Sequence, residues 1–157
     1  MLNFEDDARR GLISLTHTRL HQHLVIYRFG SHAAREHDFT SPWWLGYSPF
    51  EALKKYARNR AQTVFAAAEQ CLALPLDDRY PKKDRIIEAK LRRALSAWSG
   101  TPRTLVSRQR RRLEPDRDVT QLYIPGLNLN DVAAPNNIIW KEAFHLPLRV
   151  IATREPG

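Results

Sequence analysis

The segment His23-Leu-Val-Ile-Tyr-Arg-Phe-Gly30 constrains the fold more than any other stretch of the chain. Its β-branched and aromatic residues suit a pleated, buried strand, and Gly30-Ser31 closes it. Arg28 falls inside this run, and period-two alternation puts it on the face of Leu24 and Ile26. A guanidinium there must snorkel to water, pair with a carboxylate, or meet a ligand anion. A strand this apolar also needs neighbours at its edges and a second layer to cover it.

The remaining elements are read from periodicity and punctuation. Residues 1–22 form a polar lead-in with a short helix, and 31–40 a polar loop. Ser41-Pro-Trp-Trp-Leu-Gly46 is a short extended segment. Ser48-Pro49-Phe50-Glu51 has the form of a capping box, and Phe50, Leu53, Ala57, Ala61, Val64 and Ala68 recur at helical spacing. This predicts one helix over 49–69. Cys71–Leu76 reads as a short extended run. Ile87, Leu91, Leu95 and Trp98 form a second apolar stripe with Lys83, Lys90, Arg92 and Arg93 beside it, which predicts a helix over 82–98. Residues 101–117 read as an arginine-rich loop, 119–125 as a strand ended by Pro-Gly, 127–137 as an Asn-rich loop and 148–153 as a last strand. Helices among short strands without regular alternation predict one compact α+β domain over 1–157, with a split mixed or antiparallel sheet.

Charge is concentrated in the middle of the chain. Residues 52–112 hold 16 Lys+Arg against 5 Asp+Glu, whereas the whole chain carries a formal +8. Arginine supplies 19 of the 25 cations, and its planar fork suits phosphate oxygens and stacks on bases. A polyanionic partner follows, nucleic acid before membrane. Arg92, Arg93, Arg108, Arg110, Arg111 and Arg112 are expected to form one cationic surface that meets RNA or an acidic inhibitor protein. The single cysteine, Cys71, excludes an intrachain disulfide framework and a thiolate zinc site. No apolar run is long enough to span a membrane, and the acidic start of the chain argues against a signal peptide.

Several side chains are candidates for chemistry. Trp43 and Trp44 point to opposite faces of an extended segment, so one can fill the core while the other lines a cleft. Gln121 and Tyr123 share one face of the late strand, as a solvated sheet surface or a pocket wall would require. His17 and His21 would meet on one face of a helix, but no carboxylate or thiolate completes a metal set. Walker, GxGxxG, HExxH and GxSxG motifs are absent.

Val25-Ile-Tyr-Arg-Phe-Gly30, Thr40-Ser-Pro-Trp-Trp-Leu45 with the helix after it, and the helix end at Ala67–Pro75 occur in an order that resembles the ADP-ribosyltransferase toxin fold. Domains of this kind form C-terminal tips of bacterial polymorphic, Rhs-type effectors. The resemblance covers residues 23–76, with a looser match at 118–125. It implies that NAD is the substrate and that Tyr27 and Arg28 hold its phosphates and ribose. Ser41 would orient the nicotinamide ribose, Trp43 or Trp44 would stack on nicotinamide or a target base, and Tyr123 would line the same site. Gln121 would occupy the catalytic corner, where the family carries glutamate; Glu142 is the nearest later carboxylate. The implied acceptor is a macromolecule, with RNA suggested by the basic block. The implied site of action is the cytoplasm of a target cell, reached as part of a larger secreted effector. Two other readings stay open on the residues: a metal-independent ribonuclease using His21 or His23 with Arg28, and a non-catalytic nucleic-acid-binding module.

Overall fold

A computed structural model of the protein describes residues 4–30, 42–72, 84–102, 105–106, 112–113, 119–125 and 140–153. Its central feature is a bent antiparallel ribbon. Strand β1 (Leu12–Leu20) pairs with β5 (Leu95–Pro102), from Leu12 opposite Pro102 to Leu20 opposite Leu95. Strand β2 (Val25–Gly30) pairs with β4 (Arg85–Lys90), from Val25 opposite Lys90 to Gly30 opposite Arg85. Both chains turn at the same place, at 21–24 and 91–94. There, His23 donates its backbone N–H to the Leu91 carbonyl and Leu91 donates to Leu24, each at 2.8 Å. The ribbon therefore continues through an elbow, and its two halves belong to different sheets.

The first half grows into a four-stranded sheet, β1-β5-β8-β3, in which β8 is Gln121–Tyr123 and β3 is Trp43–Trp44. The second half grows into a three-stranded sheet, β2-β4-β9, where β9 is Arg149–Thr153. Reciprocal backbone hydrogen bonds between Tyr27 and Leu45, at 2.8 and 2.6 Å, tie β2 to the end of β3. A short pair, β6 (Leu105–Val106) and β7 (Arg112–Leu113), stands apart. Every strand pair named here is antiparallel, in keeping with the expected α+β class.

Alternation along the strands sorts the core into three layers. Ile26, Ala89, Leu91, Leu95, Ala97, Leu122, Ile124, Trp44 and Phe144 share the inner layer. On the far side of the three-stranded sheet, Tyr27, Phe29 and Ile86 meet helix α2 (Tyr47–Asn59) and helix α3 (Val64–Cys71) through Phe50, Leu53, Ala57, Phe65, Ala68 and Cys71. Tyr27 stacks on Phe50 with ring centroids 4.3 Å apart. On the outer side of the four-stranded sheet, Ala8 of helix α1 (Phe4–Gly11) joins Leu12 and Tyr123, with Trp43 and Trp98 against them. Burying a side chain such as Leu53, fully enclosed here, contributes about 1.5–3 kcal/mol. A last short helix, α4 (Trp140–Ala143), precedes β9.

Five expectations are corrected. Of the helix expected over 82–98, the described residues 84–98 form β4, the turn at 91–94 and the start of β5 instead. Ile87, Leu91 and Leu95 are spaced by four, an even number that satisfies a strand as well as a helix; Trp98 breaks that parity and lies in the outer layer, away from Leu91 and Leu95. The helix expected over 49–69 is two helices, because the chain turns at Arg60 and Ala61 (φ 51°) and Thr63 caps α3 by accepting from the Ala66 N–H at 3.1 Å. Ser48 makes no cap; the N-cap of α2 is Gly46. Cys71 closes α3 rather than opening an extended run. Finally, His17 lies on β1, whose edge position leaves it exposed, so no helical face joins it to His21.

Candidate active site

Arg28 is the one charged residue among the described residues that is buried, at 5% exposure. Its position follows from the strand: Ile26 and Arg28 point to the inner layer, while Val25, Tyr27 and Phe29 point to the helices. The guanidinium carbon lies 5.6 Å from the centroid of the Trp44 ring, and Nη2 donates a long 3.4 Å hydrogen bond to the Phe29 carbonyl. A cation over an indole face in a desolvated layer is attracted by about 2 kcal/mol. A guanidinium taken out of water needs further polar partners, and this side chain makes more contacts than these two.

Trp44, fully buried, packs at 5.1 Å centroid separation on Phe144. Trp43 takes the opposite face, edge-on to Tyr123 at 4.8 Å, with Gly11 closely against its ring. The adjacent tryptophans thus serve two different layers, and only Trp44 reaches Arg28. Ser41 lies outside the described residues.

Gln121 is buried at 8% exposure, in register with Gly100 on β5. Alternation along β8 sends Leu122 to the inner layer and puts Gln121 on the outer side with Tyr123. Neither a solvated sheet surface nor an open pocket wall describes this strand, since all three of its residues are buried. On the other side of β5, β1 carries a bulge between Ile13 and Thr16, with Ser14 in the left-handed region at φ 54°. Bulges of this kind re-aim side chains next to functional sites. The structure brings Arg28 to Trp44 and Trp43 to Tyr123. It does not bring Arg28 and Gln121 to one face.

The Tyr27 hydroxyl, on the helix side of β2, is held above its ordinary value of 10.0. Burial is the main cause, followed by the charge of Glu88, which also accepts its hydrogen bond. His21 and His23 are exposed at the elbow, whereas Arg28 is buried five residues along β2 from His23, about 16 Å at strand rise, so these groups do not converge on one phosphate.

Of the expected cationic surface, Arg92 and Arg93 are exposed at the elbow. Arg112 belongs to β7, opposite Val106, inside the stretch expected to be loop; β5 also runs through Pro102 at its start. Arg108, Arg110 and Arg111 lie outside the described residues. The sequence did not single out His145, whose ring stacks on His23 at 5.6 Å with planes 10° apart. No local signal could reveal it, since the two histidines stand on distant parts of the chain.

No protein-family model and no curated protein sequence matches the chain. Among solved structures, it is similar to a chain described as "Rhs1-CT in complex with cognate immunity protein RhsI1", with a TM-score of 0.56 and 12% sequence identity over 97% of this chain and 98% of that one. The likeness is one of fold: a compact α+β arrangement of antiparallel sheets and a few helices. No described helix is long and apolar enough to cross a membrane.

Proposed function

We propose that this protein is a toxin domain of the Rhs polymorphic-effector type that transfers ADP-ribose from NAD to a macromolecular acceptor. The observation that carries this reading is Arg28, a cation held in an apolar layer against Trp44. A core arginine retained where an aliphatic residue would pack without desolvation cost fits an anion-binding role, and a diphosphate is an anion that a planar fork grips well. The fold shared with Rhs1-CT supports the toxin class, and the immunity protein bound to that chain supports a cognate inhibitor as a partner here.

In this reading Arg28 holds the NAD diphosphate, with Tyr27 on the same strand and Trp44 setting the guanidinium's plane. Ser41 orients the nicotinamide ribose, while Trp43 and Tyr123, packed together in the outer layer, stand apart from the diphosphate at Arg28. Transfer breaks the bond between the ribose C1′ and the nicotinamide nitrogen. An acceptor nucleophile bonds to C1′, nicotinamide leaves with the bonding pair, and the acceptor loses its proton to solvent. Gln121 shares no face with Arg28, so this reading assigns it no contact with the ribose, and the amide adds no negative charge beside the oxocarbenium-like centre. RNA is the acceptor that the basic block favours, and the cytoplasm of a target cell is where NAD and RNA are both available.

Calorimetry with NAD, and transfer of labelled ADP-ribose to total RNA and to cell extract, test the proposal. Wild-type protein is expected to bind NAD, and Arg28→Lys to weaken binding at least tenfold through loss of the two-pronged contact. Absence of NAD binding, together with no transfer by wild type, removes the reading. RNA cleavage without NAD would establish the ribonuclease alternative instead.

A further inference from the structure

Three distant segments meet at the elbow of the ribbon. Leu91 is flanked on one side by His23 and Leu24, and on the other by Phe144, with which it forms an antiparallel bridge. His145 donates its backbone N–H to the Lys90 carbonyl at 2.9 Å, and Arg92 donates to Ala143 at 2.7 Å. Leu91 and Phe144 are buried, as is Ala143, whereas Lys90 and Arg92 beside Leu91 and His145 beside Phe144 are exposed. Lys90, Arg92, Arg93, His21, His23 and His145 are all exposed there, and His23 and His145 stack face to face. Among the described residues Lys90, Arg92 and Arg93 have no ion-pair partner. The acidic residues nearest in the chain to this group are Glu88, two residues before Lys90 and paired with Arg149 at 3.3 Å, and Glu142, three before His145.

Exposed apolar side chains follow His145, with the exposed Arg149 among them. Leu146 is 50% exposed, Val150 48% and Ile151 38%, and β9 is the terminal strand of its sheet among the described residues. Apolar side chains on an open strand edge are a liability that proteins ordinarily cover. Beside them lies a cluster of cations and imidazoles, an arrangement of apolar centre and charged rim typical of protein interfaces. A nucleic-acid surface would instead offer aromatic faces for bases along a basic groove. Here the two imidazole faces are spent on each other.

We propose that this end of the molecule is a docking surface for an acidic protein, which covers Leu146, Val150 and Ile151 and sets its carboxylates against His23, His145, Lys90 and Arg92. Lys90, Arg92 and Arg93 crowd like charge there, and the partner's carboxylates offset it. The surface is separate from Arg28 and does not depend on NAD chemistry.

The test uses the full chain with three probes: poly-L-glutamate, a glutamate–tyrosine copolymer, and polyuridylate of equal charge. Lys90→Gln with Arg92→Gln is expected to weaken binding of the copolymer about tenfold, one charge-assisted contact's worth. Val150→Ser with Ile151→Ser should remove the copolymer's advantage over poly-L-glutamate while leaving the binding of poly-L-glutamate unchanged. Tighter binding of polyuridylate than of either polypeptide would overturn the proposal in favour of a nucleic-acid surface. Copolymer binding that is unchanged in both double variants would overturn it as well.

Discussion

Gly100 and Ile13 stand so close across the β1–β5 pair that a Cβ placed on Gly100 would lie 2.7 Å from the Ile13 carbonyl oxygen and 3.0 Å from the Leu12 Cβ. Backbone is on one side of that contact, so it cannot yield as a flexible side chain would. Gly100→Ala should therefore cost about 1–3 kcal/mol, visible as a drop in Tm of several degrees. A change smaller than 1 °C would mean that the bulge at Ser14 absorbs the methyl group.

The two helix starts make opposite predictions for two hydroxyl residues. Thr63 caps α3 through its side chain, and Thr63→Ala should lower stability by about 1 kcal/mol. Ser48, inside the first turn of α2 and exposed, should tolerate alanine to within about 0.5 kcal/mol. Denaturant midpoints of the two variants decide between this arrangement and a capping box at Ser48.

Tyr27 ties stability to alkaline pH. Burial first, and then Glu88, hold its hydroxyl above 10.0 in the folded protein. The native state keeps this proton where the unfolded chain has released it, so the stabilisation is complete below pH 10 and is lost as pH rises through the folded value. Tyr27→Phe should flatten the decline above pH 10. At neutral pH the same substitution should cost about 1 kcal/mol through the lost hydrogen bond to Glu88. Equal slopes for the two proteins above pH 10 would count against this account.

Gln121→Glu separates activity from folding. A carboxylate in this buried position loses hydration, which raises its pKa and favours the neutral acid. The variant should be less stable than wild type at pH 7, by about 1–3 kcal/mol, and the gap should narrow as pH falls towards 4. Unfolding curves at both pH values check this, and a gap independent of pH would place Gln121 in a more solvated setting than its burial indicates.

How much of this was legible in the chain differs from element to element. The strand at Val25–Gly30 and the inward turn of Arg28 follow from residue type and period-two alternation, because one strand's faces are a local property. The split between α2 and α3 was marked by Thr63, but a continuous apolar stripe over 50–68 outweighed it in the reading. For 85–102 the stripe spaced by four could not distinguish strand from helix until Trp98 was assigned a face. The candidate site was half legible: Arg28 beside Trp44 matches the expected strand order, while the outward placement of Gln121 depends on the register with Gly100. The pairing of His23 with His145 was beyond reach, since it is created by the elbow.

The bent ribbon also dictates when the protein can exist. Strands that adjoin in the chain, β1 with β2 and β4 with β5, pass into different sheets rather than pairing as hairpins. Leu12 waits for Pro102, Trp44 for Leu122, and Arg85 for Thr153. Four of the pairings, β1–β5, β2–β4, β3–β8 and β4–β9, must each close a loop of roughly 60 residues or more, an entropic cost met before any reward arrives. Folding is consequently slow and late. Removal of β9 or of β1 should leave no independently folded remnant, and a chain emerging from the ribosome stays unfolded until its last strand has been made.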